Sequence, residues 1–145
     1  MPGKFVFKLE KVLEFRMQAE EQAAMALAEA RQLHQDQKKA VFAIEEQIVA
    51  HRKHKYESLD ADSMWLWRQY DEALKTDLQS AHNRLKQLAL NLQKSRAEAV
   101  KKSKERKLLE KLKENQAKKY YEEERLKEQK EYDEMATLRF KPKNF

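Results

Sequence analysis

Between Lys4 and Lys141 the chain contains neither glycine nor proline; its one Gly and two Pro are Gly3, Pro2 and Pro142, at the extreme ends. Sheet turns depend on Gly, Pro or Asn-Gly pairs, so a chain without them is confined to long, uninterrupted helices. Charged residues make up 39% and the hydrophobic set 41%, much of it Ala and Leu, which is the composition of coiled coils rather than of a globule with a wide apolar core. One elongated all-α domain over residues 1–145 is expected, with no sizeable core.

The apolar spacing supports this. Counting sevens from Leu13 collects Leu13, Glu20, Leu27, His34, Val41 and Ile48, and three residues later in each step come Arg16, Ala23, Ala30, Gln37, Ile44 and His51. A flanking row adds Val12, Ala19, Ala26, Leu33 and Ala40. This is a coiled-coil stripe diluted by polar residues. It predicts helix 1 over about residues 4–57. A turn is placed at about 58–62, where SLDADS supplies the N-cap types Asp60, Asp62 and Ser63. Helix 2 is predicted over about 63–138, with Trp67, Leu74, Ala81, Leu88 and Ser95 alternating with Met64, Leu78, Leu85, Leu92 and Ala99. Asp71 interrupts that stripe, which fades through Arg106 and Leu109.

A short connection between long helices favours an antiparallel hairpin. With the turn near residue 60, Ile48 is expected near Leu74, Val41 near Leu78, Leu27 near Leu92, Leu13 near Leu108 and Leu9 near Leu112. The result is a long antiparallel two-helix coiled coil. Its second helix is longer and overhangs beyond roughly residue 116, carrying the run EQKEYDEMATLRF. Arg16 and Glu20 fall on the seam opposite Lys102 and Arg106, which reads as a charge ladder that fixes register or as a loosened end that a partner can grip. The two stripes complement each other within one chain, so a monomer is expected, with a longer dimer as the other way to pair them.

No catalytic constellation is visible: no phosphate-binding GxxxxGK[ST] loop, no GxSxG, no HExxH and no cysteine. The expectation is a non-enzyme without cofactor. His51 and His54 are spaced for a metal, but Arg52, Lys53 and Lys55 around them oppose a cation, so no metal is expected. The net charge is +6, with basic residues clustered in KSRAEAVKKSKERK. That stretch reads as a solvated face or a strip for an acidic partner; without interleaved aromatics, nucleic acid is not expected. Phe42, Val49 and Tyr56 recur at sevens off the seam, with Trp65, Leu66 and Tyr70 near the same end. They read either as packing that closes the hairpin tip or as an exposed patch for a protein partner. No stretch approaches the length of a transmembrane helix, and the N-terminus lacks the continuous apolar run of a signal peptide.

Two stretches carry a family resemblance. FVFKLEKVLEFRMQAEEQAAMALAEARQ resembles the start of the flagellar export protein FliJ, and RKLLEKLKENQAKKYYEEERLKEQKEYDEMATLRF resembles that family's end, with Tyr132 where Leu is more usual. The resemblance implies an antiparallel two-helix component of the flagellar type III export apparatus, similar to the stalk of a rotary ATPase. It implies that the terminal end enters the pore of the hexameric export ATPase FliI, that the tip-proximal part meets the export gate protein FlhA, and that export chaperones bind and are recycled. On it, Phe5, Leu9, Arg16, Glu128, Tyr132, Asp133, Glu134 and Arg139 are ATPase-binding candidates. Phe42, Val49, Tyr70 and Leu74 are gate-binding candidates, in a row that continues to Asp77 and Ala81, where Asp77 departs from the small apolar residue the family would place. The implied location is cytoplasmic, peripheral to the inner membrane at the flagellar base. The alternatives are the stalk of a virulence type III secretion system, or a basic structural or nucleic-acid-binding coiled coil.

Overall fold

The computed structural model describes residues 3–54 and 60–140. They form two helices and, among the described residues, no strand: α1 (Glu10–Lys53) and α2 (Ala61–Arg139). Asp60 takes the N-cap position of α2, its carbonyl accepting the Met64 N–H (3.0 Å). Acidic residues open each helix (Glu10, Asp62) and basic ones close it (His51, Arg52 and Lys53; Arg139), which suits the helix dipole. The expected Tyr56 falls outside the described residues, as does most of the predicted turn. The chain packs as two units, Met1–Glu20 with Lys102–Phe145 (the terminal unit) and Glu21–Lys101 (the central unit).

In the central unit the two stripes meet as an antiparallel hairpin. Ala23, Ala30, Val41 and Ile48 of α1 are buried, as are Leu74, Ala81, Leu88 and Leu92 of α2. The register is visible in cross-helix bonds. Gln37 Nε2 donates to the Ala81 carbonyl (3.0 Å), and His51 and Trp67 bind each other twice. The polar seam residue Asp71 is buried and held by Arg52 Nε and Lys75 Nζ, both at 3.3 Å. Burial pushes its carboxyl toward the neutral form, but the Lys75 and Arg52 bonds and charges outweigh it and hold Asp71 below its ordinary value.

The terminal unit departs from expectation at its start. Lys4–Leu9 does not extend α1, which begins at Glu10. In this segment Phe7 is buried and Phe5 half-buried, while Val6 and Lys8 face out. That is the period-two alternation of an extended chain, and FVF supplies the aromatic and β-branched residues that favour it. Phe7 packs with Leu13 and Leu109, and Phe5 lies against them. An extended residue advances about 3.3 Å against about 1.5 Å in a helix. The segment therefore reaches farther along α2 than helical arithmetic allows. Tyr120 donates its hydroxyl to the Gly3 carbonyl (3.0 Å), and its ring meets Phe5 at 5.7 Å. Leu13 is paired with Leu109, not Leu108, which is 68% exposed; Leu9 and Leu112 are likewise only partly covered.

Polar seam residues sit beside this cluster. Arg16 donates to the Glu105 carbonyl (3.0 Å), Arg106 pairs with Glu20 across the seam and with Glu110 along its own helix, and Lys113 reaches Glu10 (2.8 Å). The Glu20 bond, together with Glu110 and against burial, raises the basicity of Arg106 above its ordinary value. The expected charge ladder is present, with Arg106 rather than Lys102 as its centre.

No large side chain among the described residues is fully enclosed, because a two-helix seam covers each residue from one side only. Truncations should therefore cost toward the lower end of the usual core range. Phe7→Ala is expected to destabilise the chain by about 3 kcal/mol in urea unfolding, and Val6→Ala by little, the reverse of what a helix beginning at Lys4 would give. Asp71 is more acidic folded than unfolded, so its contribution is present at neutral pH and lost as pH falls below about 4. In thermal melts between neutral and acid pH, Asp71→Asn should be less stable than the parent at neutral pH, with the gap closing at acid pH; a constant gap would contradict the ion pairs.

Candidate functional site

Two regions stand out from the seam, one in each unit. In the terminal unit α2 runs well past its contact with the N-terminal segment at Tyr120. Every residue from Glu131 to Phe140 is exposed. Steps of seven from the half-buried Glu124 and Glu128 lead to Glu131, Met135 and Leu138, so the seam row continues where no α1 residue faces it. Tyr132 (71%), Leu138 (82%) and Phe140 (73%) are among the most open large apolar side chains. Lys130, Asp133, Glu134, Thr137 and Leu138 line a shallow hollow. Their spacing is that of one helix face, so the hollow has no opposing wall and cannot enclose a small ligand.

The candidates for this region divide. Glu128, Tyr132, Asp133, Glu134 and Arg139 lie on the extension, and all but the half-buried Glu128 are open to solvent. Phe5 and Arg16 are engaged within the chain, by Tyr120 and by the Glu105 carbonyl, and Leu9 is only partly exposed. Phe5 therefore shapes the base of the extension, and Arg16 belongs to the paired seam well before it. Leu138 is absent from the sequence candidates, although its seven-residue spacing from Glu131 marks it.

In the central unit Phe42 and Val49 are 60% and 56% exposed, and line one outward groove of α1 with Glu45, Glu46, Ala50 and Lys53. Trp65, Leu66 and Tyr70 are also more than half exposed, and Tyr70 packs at the same time on the His51 ring. They are not one patch. Tyr70 meets the His51 ring edge-on at 4.7 Å, and residues two apart on a helix point about 200° apart, so Tyr70 lies away from Val49. Leu74 is only 4% exposed and belongs to the seam; as a direct partner contact it is corrected, because a partner would have to open the hairpin to reach it. Ala81 is buried in the same way.

The aromatic end of the central unit is a clasp. His51 stacks on Trp67 at 4.3 Å, its Nε2 donates to the Trp67 carbonyl (2.9 Å), and the indole N–H donates back to the His51 carbonyl (3.1 Å). The carbonyl can only accept, so His51 carries its proton on Nε2. A histidine so committed is a structural fastener. Among the described residues no three His, Asp or Glu side chains converge at metal-binding spacing, and no helix is long and apolar enough to cross a membrane.

A known structure shares the two-helix fold. The structure is similar to that of a YscO homolog, CT670, from Chlamydia trachomatis, with a TM-score of 0.59 over 93% of this chain and 94% of that one, at 20% identity. At that identity the likeness establishes the shared fold. No curated protein sequence matches the chain. The family model described as "Flagellar FliJ protein" matches residues 5–144, nearly the whole length. The chain therefore belongs to the flagellar FliJ protein family.

Proposed function

We propose that this type III export component acts as a non-enzymatic, stalk-like partner of the hexameric export ATPase, its α2 extension seated in the ring. The observation that carries the reading is the run of exposed residues from Glu131 to Phe140, in which a seam row continues without a partner. Glu128, Tyr132, Asp133, Glu134 and Arg139, with Met135 and Leu138 added, would face the ring. Isolated helices of this length gain little without packing, so an extension rich in exposed apolar groups is stabilised by whatever encloses it. Mixed charge around a few apolar groups allows contact with several ring subunits without one deep anchor.

In this reading the chain promotes assembly and activity of the ring and couples it to the export gate protein. The Phe42 and Val49 face and the separate Tyr70 surface offer contacts to the gate, with Leu74 supporting them from beneath. Assistance in recycling export chaperones belongs to the same role, as does a cytoplasmic location peripheral to the inner membrane at the flagellar base.

The test is ATP hydrolysis by the purified export ATPase, titrated with this protein. The intact chain should stimulate it. A chain ending at Glu123, which keeps Tyr120 on Phe5 and Gly3, should not. Tyr132→Ala and Met135→Ala should each raise the half-maximal concentration about tenfold, or ~1.4 kcal/mol, as expected of apolar interface anchors. Absence of stimulation by the intact chain would remove the stalk reading. Stimulation that survives truncation would move the contact to the paired part of the hairpin.

A further inference from the structure

The terminal unit carries a second exposed surface that the extension does not use. Val12 and Phe15 each precede a seam residue of α1 by one position, and Leu108 and Leu112 each precede one of α2. At about 100° per residue, positions one before the seam on two antiparallel right-handed helices fall on the same side of the pair. The register puts the four side by side, since Arg16 meets Glu105 and Glu10 meets Lys113. Their exposures are 41%, 70%, 68% and 38%, so all four are open.

Charge is divided between the two sides. Across the hairpin, Met17, Glu10, Glu110 and Glu114 line a groove with Lys113, and there carboxylates outnumber lysines. On the apolar side the carboxylate Glu105 is held by Lys102 (3.7 Å) and Lys119 stands exposed one position before Tyr120, while Lys11 and Lys104 stand exposed on the outer backs of the two helices, at the strip's edges. Among the described residues these three lysines have no carboxylate partner. Around the four apolar residues the ion pairs therefore absorb the acidic groups and leave a strip bordered by ammonium groups; the exposed Glu123, one before Glu124, lies on this side farther along α2, beyond Lys119. The strip is convex, lying on the outside of two helices.

We infer that this face binds the surface of an anionic phospholipid bilayer, with Phe15 and Leu108 entering the headgroup boundary and Lys11, Lys104 and Lys119 meeting lipid phosphates. A basic rim around apolar side chains is complementary to such a surface, whereas a nucleic acid would give Leu108 and Leu112 nothing to enter. The inference names the surface for the peripheral membrane location proposed above, but does not need the ATPase contact.

The test is sedimentation of the intact chain with vesicles of phosphatidylglycerol and phosphatidylcholine, and with vesicles of phosphatidylcholine alone. Binding is expected to the first only, and to weaken with salt. Lys11→Gln and Lys119→Gln should each weaken it roughly fivefold. Lys107→Gln, which makes the same charge change on the other side, should leave it unaltered. Phe15→Ser with Leu108→Ser should remove the binding that persists in salt, while circular dichroism melts stay unchanged because both positions are exposed. No binding to the anionic vesicles would overturn the inference. So would a loss from Lys107→Gln equal to those from Lys11→Gln and Lys119→Gln, or apolar variants that bind like the parent, since either leaves only nonspecific attraction. The assay contains no ATPase, so its failure leaves the stalk proposal standing.

Discussion

The pairing of Arg106 with Glu20, beside the Arg16 bond to the Glu105 carbonyl, is the constraint on which the terminal unit depends. A two-helix seam built from Ala, Leu and Val repeats every seven residues, and apolar contacts alone do not distinguish one register from the next. Charged partners at fixed positions do. With Arg16 beside Glu105 and Glu10 beside Lys113, Leu13 meets Leu109 and Phe7 docks beside them. The N-terminal segment then ends alongside Tyr120, and the remainder of α2 has no α1 residue to pair with. The unpaired extension is thus a consequence of register, not a separate module.

That register also decides which side chains are available to partners. One residue's displacement separates Leu109, which is buried, from Leu108, which is open. The same kind of displacement separates Leu74 in the seam from the exposed surface around it. Candidate contacts chosen by similarity of position, without burial, mix the two kinds. Leu74 is a candidate that the seam covers; Leu138 and Phe15, outside the candidates, are exposed.

Much of this was legible in the sequence. The absence of Gly and Pro between Lys4 and Lys141 left only helices, and the heptads of Leu13 to His51 and of Trp67 to Ala99 named the seam residues that are buried or half-buried. The charge ladder and an unpaired end came from counting about a turn near residue 60. The conformation of FVFKLE was not legible, because Phe5, Phe7 and Leu9 satisfy an alternating pattern while Leu9, Val12, Leu13 and Arg16 satisfy a helical one. Only the tertiary contact of Phe7 with Leu13 and Leu109 decides between the two. Nor could periodicity choose between Leu108 and Leu109, adjacent and chemically identical. The separation of Tyr70 from Phe42 and Val49 depends on which side of the seam each occupies, a matter that residue counting along one helix does not address.

A polar seam invites the view that it is a weakness, a loosened end that a partner can grip. Its bonding argues otherwise. Among the described residues no buried side-chain nitrogen or oxygen lacks a hydrogen-bond partner, and Arg16, Glu20 and Arg106 are each engaged. Replacing such groups by leucine would add apolar contact and could stabilise the hairpin, yet it would remove what distinguishes neighbouring registers. A slip of one heptad moves one helix past the other by about 10 Å, enough to draw Tyr132 and Met135 toward the paired region or push them farther from it. A chain whose partner must find its contacts at a fixed distance from the hairpin gains more from a defined register than from added stability. The seam is polar where the position of the extension is decided, and that placement fits specification rather than strength as its role.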